Sequence, residues 1–329
     1  MAVMVAVLMV SLLGFGAIVI DVGALYQERR ELQNGADASA LAVAKDCAAG
    51  DCGAYTATAG SYASANADDG QSGVDEVCGT GAGLPACADP PDVPDGASGY
   101  VAVRTRTSDA GGAEVPFSLA RIFGATGKTV HARAVAAWGG IGGATTIPLT
   151  FGVCEYEQAV ARQGGIQEGP PFTGDPQYIY FHNTVYAQDP CPADPAGKDH
   201  PGGFGKLSTD APCQVNITVG GWADTSTGNN FKALDPCVSP YQNKIILIPI
   251  FDEVTGNGAN GKYHIIGFAS VYLTGYKWNG NSKWPSNFSC PLGHGNSTVC
   301  IRGYFGKVVT NVSGSFGPDM GTTMVRMVG

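Results

Sequence analysis

The first twenty residues, MAVMVAVLMVSLLGFGAIVI, hold no charged side chain, and Asp21 is the first ionisable one. Coiled as a helix, twenty residues span about 30 Å, the thickness of a bilayer's hydrocarbon core. A cleaved secretory signal starts basic, has a shorter apolar core and ends in small residues. This run starts uncharged and is longer, so residues 1–20 read as an uncleaved transmembrane or filament-core helix. Its expected assembly face is Val5, Met9, Leu12, Leu13, Phe15 and Ile18, closed by Asp21.

Helical spacing continues past the run. Val22, Leu25, Tyr26, Leu32, Ala36, Ala40, Leu41 and Ala44 recur mostly three or four residues apart. That predicts one helix from about residue 2 to Lys45, ~65 Å long. Small residues such as Ala36, Ala38, Ala40 and Ala42 let another element approach closely. Gly35 is its weak point, costing up to ~1 kcal/mol against Ala.

Ten cysteines bound the compartment: 47, 52, 78, 87, 154, 191, 213, 237, 290 and 300. Their count is even and no CxxC occurs, which favours disulfides over zinc. Spacing suggests the local loops Cys47–Cys52, Cys78–Cys87 and Cys290–Cys300. Cys154, Cys191, Cys213 and Cys237 are expected to pair in an order that spacing leaves open. The Arg29–Arg30 pair would put its side of the helix in the cytoplasm by the positive-inside count. The cysteines outweigh that count, because a disulfide framework does not persist in a reducing cytosol. The expected location is the cell surface or an extracellular filament, with membrane anchoring before assembly. A net charge of −9 excludes the basic footprint that nucleic-acid binding needs.

Residues 14–44 form an ordered pattern: Asp21–Val22–Gly23, Tyr26, Arg29–Arg30, Leu32–Gln33–Asn34, Ala36–Asp37–Ala38, then an Ala-rich tail. This pattern resembles the N-terminal segment of TadE/TadG-like proteins of the Tad (Flp, tight-adherence) type IV pilus system. Residues 115–138, VPFSLARIFGATGKTVHARAVAAW, are similar to the short helix and strand that end the same membrane-proximal module. PGGFG at 201–205, NGKYHIIGFA at 260–269 and CIRGYF at 300–305 resemble the C-terminal half of actinobacterial members. The resemblance implies a role in pilus assembly, surface adhesion and biofilm formation. Its implied partners are copies of the chain or other pilin-like subunits, met through the N-terminal helix, and the membrane before or instead of assembly. True pilins of this class carry a Glu five residues after the leader cleavage point. Counted from Met1, this chain has Val5 there, and Asp21 lies too far along to substitute.

The expected fold is α+β in three parts. The apolar helix, 1–20, leads into a helical stalk with a small pilin-like module, 21–145, and then a disulfide-stapled, mostly antiparallel β domain, 146–329. In the module, 55–67 reads as a small-residue helix, 100–107 and 129–138 as half-buried strands, and 115–123 as a short helix. Residues 139–146, GGIGGATT, look like a linker. Outer-domain strands are expected at 147–151, 178–181, 215–219, 244–251, 263–276, 300–310 and 323–328. KIILIPIF at 244–251 belongs in a sheet centre, where Pro249 needs a bulge or a strand end.

Chemistry-bearing motifs are sparse. Between Gly35 and Ala97 there are ten acids and one base, and Asp68, Asp69, Asp75 and Glu76 read as a solvated acidic surface rather than a calcium loop. Asp252, Asn257 and Asn260 form a weak candidate cation set. His182 and His200 could meet Asp199. No nucleophile elbow, phosphate loop or HExxH occurs, so neither an enzyme nor a cofactor is expected. Trp278 and Trp284, in GYKWNGNSKWPSNF, are the expected surface-contact rings. The alternatives to a filament subunit are a membrane-anchored accessory protein of pilus assembly and an anchored binding ectodomain.

Overall fold

The computed structural model describes residues 2–108, 112, 114–181, 191, 204–226, 230–256, 260–292, 298–310 and 314–328, apart from the side chains at 2, 3, 6, 7, 10, 11, 13, 17, 122, 123, 204 and 281. The fold is α+β. The chain forms two compact units: Met1–Val93 with Gly99–Trp138 and Val325–Gly329, and Pro94–Ser98 with Gly139–Met324.

The first unit is built on one helix, α1, Ala2–Ala49. Its buried stripe runs Leu32, Ala36, Ala40, Val43, Ala44, Cys47 and Ala48, the three- and four-residue repeat of a helix packed along one face. That stripe lies on an antiparallel sheet of β1, Ser72–Gly79, β2, Gly99–Thr107, and the first part of β3, His131–Ile141. Val101 and Val103 face it, both fully buried. Thr105 Oγ1 donates to the Leu32 carbonyl at 3.0 Å, tying helix to sheet. A second helix, α2, Tyr55–Ala65, crosses α1 through Ala59 and Ala63, and Ser39 Oγ donates to the Ala59 carbonyl at 2.8 Å. Gly35 sits at this crossing. A Cβ there would come within 3.1 Å of the Ala63 carbonyl oxygen, so the glycine allows the approach rather than merely weakening the helix.

Two local readings need correction. Residues 115–123 do not form one helix. Val115–Pro116 pairs as a short strand with Gly127–Lys128, and only Ala120–Phe123 coils, as a 3-10 turn. The reason is where the intervening N–H groups point, described below. β1 was not expected at all, because Asp75–Glu76 breaks its alternation; a register shift between Val74 and Glu76 absorbs the irregularity.

In the second unit, β4 Leu149–Gly152, β5 Gln177–Tyr180, β6 Phe204–Lys206, β7 Ile245–Thr255, β8 Lys262–Lys277 and β9 Cys300–Gly306 form a sheet in the order β5-β9-β8-β7-β4-β6. Every pairing along it is antiparallel except β7 with β4. Phe151, Ile250, Ala269 and Trp278 are fully buried in its core. β7 is central, as its apolar run demands. Pro249 lies within it opposite Phe268, and the register shifts directly after, between Ile250 and Phe251.

Helix α3, Val153–Gln163, was not foreseen. Its buried Tyr156 and Ala159 carry helical spacing, but the adjoining apolar strand masks it in sequence. Gly164, at φ +87°, ends it. The expected linker at 139–146 is no linker. Gly139–Ile141 completes β3, Gly140 pairs with Gly317, and Gly143–Thr146 pairs with Val215–Thr218. A Cβ at Gly140 would lie 1.9 Å from the Pro318 carbonyl oxygen; these glycines serve close packing, not freedom.

All ten cysteines are paired: Cys47–Cys52, Cys78–Cys87, Cys154–Cys191, Cys213–Cys237 and Cys290–Cys300.

The α1–α2 crossing predicts a contrast. Gly35→Leu should destabilise the protein by about 1–3 kcal/mol through overpacking. Gly14→Leu, where a Cβ meets nothing within 4 Å, should leave stability unchanged or slightly raised. Chemical denaturation in detergent measures both, and equal midpoints would contradict the crossing.

Candidate functional site: the apolar helix end and its carboxylate clamp

The residues that open α1 are helix formers with nothing polar to place. In the folded chain Met4, Leu8, Leu12, Phe15, Ile18 and Val19 are each at least 60% exposed. Their three- and four-residue steps put these positions along one face of the helix, and no other part of the described chain covers that face. Of the expected assembly residues, Val5, Met9, Leu12, Phe15 and Ile18 are exposed, and the Leu13 side chain lies outside the described residues. The expectation of a transmembrane span is not supported: among the described residues, no helix is long and apolar enough to cross a membrane. Nine of the run's own twenty side chains fall outside that description, including those at 6, 7, 10 and 11.

The exposure stops at Asp21, which is only 5% exposed. Its carboxylate accepts the backbone N–H groups of Ser118 at 2.8 Å, Leu119 at 3.2 Å and Ala120 at 2.7 Å. These are the unpartnered donors that open the 3-10 turn Ala120–Phe123. Asp21 is therefore that turn's cap, supplied from a different element some hundred residues away in sequence. Burial pushes its pKa up, but the three N–H bonds pull harder the other way and hold the carboxyl below its ordinary range. Asp21, expected among the assembly residues, thus keeps its charge inside the chain.

Three turns on, other polar side chains fix α1 to its module. Gln33 Nε2 donates to Asp37 Oδ1 at 2.7 Å and to the Arg133 carbonyl at 3.2 Å. Glu31 Oε2 accepts the Asp68 N–H at 3.0 Å, just beyond α2. So the sequence pattern at 21–38 divides physically: Asp21, Glu31 and Gln33 bind the module, Leu32 and Ala36 fill its core, and Gly35 admits α2.

Against this geometry, the family model described as "Tad: Putative Flp pilus-assembly TadE/G-like" matches residues 1–46. Over those residues the chain is similar to the TadE/G-like family. The matched segment runs from the exposed apolar residues through the clamp to the buried stripe. No curated protein and no solved structure matches the chain.

Outside the TadE/G-like segment, the other candidates disperse. Of the weak cation set Asp252, Asn257 and Asn260, Asp252 Oδ1 stands 2.7 Å from His264 Nδ1, and Asn257 lies outside the described residues. His182, Asp199 and His200 also lie outside them. Asp75 is held by Arg106 at 2.7 Å and His131 at 3.0 Å. Among the described residues no group of three His, Cys, Asp or Glu could hold a metal ion. Trp278 is not a surface ring: it is 0% exposed, between Tyr276 at 4.9 Å and Phe231 at 6.2 Å. Trp284 is half-buried against the same core. The exposed tryptophan is Trp222, at 43%.

The clamp's depressed pKa fixes its pH behaviour. Its contribution is complete above the ordinary carboxylate pKa and is lost as pH falls through the lower folded value. Asp21→Ala should speed amide exchange at Ser118, Leu119 and Ala120 at neutral pH, and the wild type should approach the variant on acidification. Hydrogen exchange read by mass spectrometry checks this; unchanged protection in Asp21→Ala would remove the clamp from the account.

Proposed function

We propose that the chain is a structural, pilin-like subunit of a Tad-type surface filament. Its N-terminal helices pack in the filament core, against copies of themselves or other pilin-like subunits, and the disulfide-bonded unit is displayed outside for adhesion. One observation carries this reading: large apolar side chains stand exposed along α1 up to Ile20, and the first charge after them is withdrawn into the chain's own clamp. Fully burying a side chain such as Leu8, Phe15 or Ile18 is worth about 1.5–3 kcal/mol. Among the described residues nothing in the chain collects that energy, whereas a lipid or a bundle of like helices does. The five disulfides support maturation outside a reducing cytosol. Before assembly the same helix rests in the membrane. The TadE/G-like match supports membership of a pilus system, within which an accessory role in assembly is the competing reading.

Sheared cell-surface material examined by negative stain separates the two. A subunit is expected in high-mass fibres that come apart only in detergent or denaturant. An accessory protein stays in the membrane fraction as monomers or small oligomers. Met9→Asp places a charge at the centre of the run, at a cost of about 2.5–3.5 kcal/mol. It is expected to abolish fibres, and normal fibres in that variant would contradict a helical core.

A further inference from the structure

A groove of about 490 Å³ opens beside α1 immediately after the clamp. Leu25, Tyr26 and Arg29 form one wall, and Lys128, Val130 and His131 the other. No acid lines it. Arg29 and Lys128 bring positive charge, and His131 turns its Nδ1 to Asp75 at 3.0 Å. Glu114 lies close to Gly127 and is not part of the lining.

Charge and apolar surface follow one another in a definite order. From the groove, Tyr26 at 65% exposure and Val22 at 42% lead along the same helix face to exposed Val19 and Ile18. A ligand that fits both parts has an anionic head and an apolar tail. Asp21, between the two parts, would repel such a head were its carboxylate free. It is buried and bound by three N–H groups, so the path is clear of exposed negative charge. An exposed tyrosine with cations one turn beyond an apolar run is also the side-chain order of a membrane–water boundary.

We propose that this groove is a binding site for the headgroup of an anionic phospholipid, the phosphate held by Arg29 and Lys128 and the acyl chains laid along Val22, Val19 and Ile18. The inference deepens the reading above and rests on its claim that the N-terminal helix enters lipid before assembly.

The test uses the full-length chain moved from detergent into vesicles of pure phosphatidylcholine, or of phosphatidylcholine doped with phosphatidylglycerol. Partition into the pure vesicles reads the apolar helix; the preference for doped vesicles reads the groove. Wild type should prefer the doped vesicles, and Arg29→Gln and Lys128→Gln should each lower that preference about fivefold. Arg30→Gln, beside the site but outside its lining, should change it less than about twofold. Good partition without charge preference overturns the headgroup site alone, and so does an equal loss in Arg30→Gln, which marks diffuse attraction. So does a change in self-association rather than lipid preference in the Arg29 and Lys128 variants, which gives the groove to an acidic segment of a second copy. Failure to enter even neutral vesicles overturns the membrane reading and this site with it.

Discussion

Three backbone N–H groups pointing at one carboxylate set the frame of the first unit. The donors at Ser118, Leu119 and Ala120 belong to the segment between two sheet strands, and the acceptor, Asp21, belongs to the helix. A buried carboxylate is expensive unless its oxygens are satisfied, and a turn's opening donors are expensive unless something accepts from them. Each solves the other's problem. The bond fixes where along α1 the module begins, and so where the unsupported apolar part ends.

From that point α1 changes character in both directions. Toward its C-terminal end every turn is occupied: Leu32 under Thr105, Gly35 against Ala63, Ser39 on the Ala59 carbonyl, Cys47 bonded to Cys52. Toward its N-terminal end the described side chains have no such neighbours and stand exposed. In a helix this long, about 72 Å for 48 residues, one half is held by its own chain, and among the described residues nothing covers the other. The proposed filament core and the proposed lipid contact are two answers to the same unburied surface, at different stages of the protein's life.

Much of this was legible before any coordinates. The helix announced itself through three- and four-residue spacing, and β2, β7 and β8 through alternation or a continuous apolar run bounded by turn residues. What escaped depended on partners that leave no local mark. Asp21's partners are backbone groups, which look alike in every sequence, so the motif residue was visible and its use was not. Gly139–Gly143 carried the composition of a linker, yet Gly140 and Gly142 serve close backbone contact with Ser315–Pro318, and Gly143 with Ile217. Trp278 sat in a polar, Asn-rich context that suggests a surface, and its burial comes from Tyr276 and Phe231, residues that only the fold brings near. Helix α3 was hidden because a four-residue buried strand runs directly into it.

The central claim is that α1 changes environment at Asp21, shielded by neighbours before it and by its own module after it. A spin-label accessibility scan along residues 4–30 of the native cell-surface protein tests it most directly. The account predicts labels inaccessible to water-soluble relaxants from 4 to 20, then a sharp return of accessibility at exposed positions such as Gln27 and Arg30. Uniform access to water through residues 4–20 in that native material would contradict it.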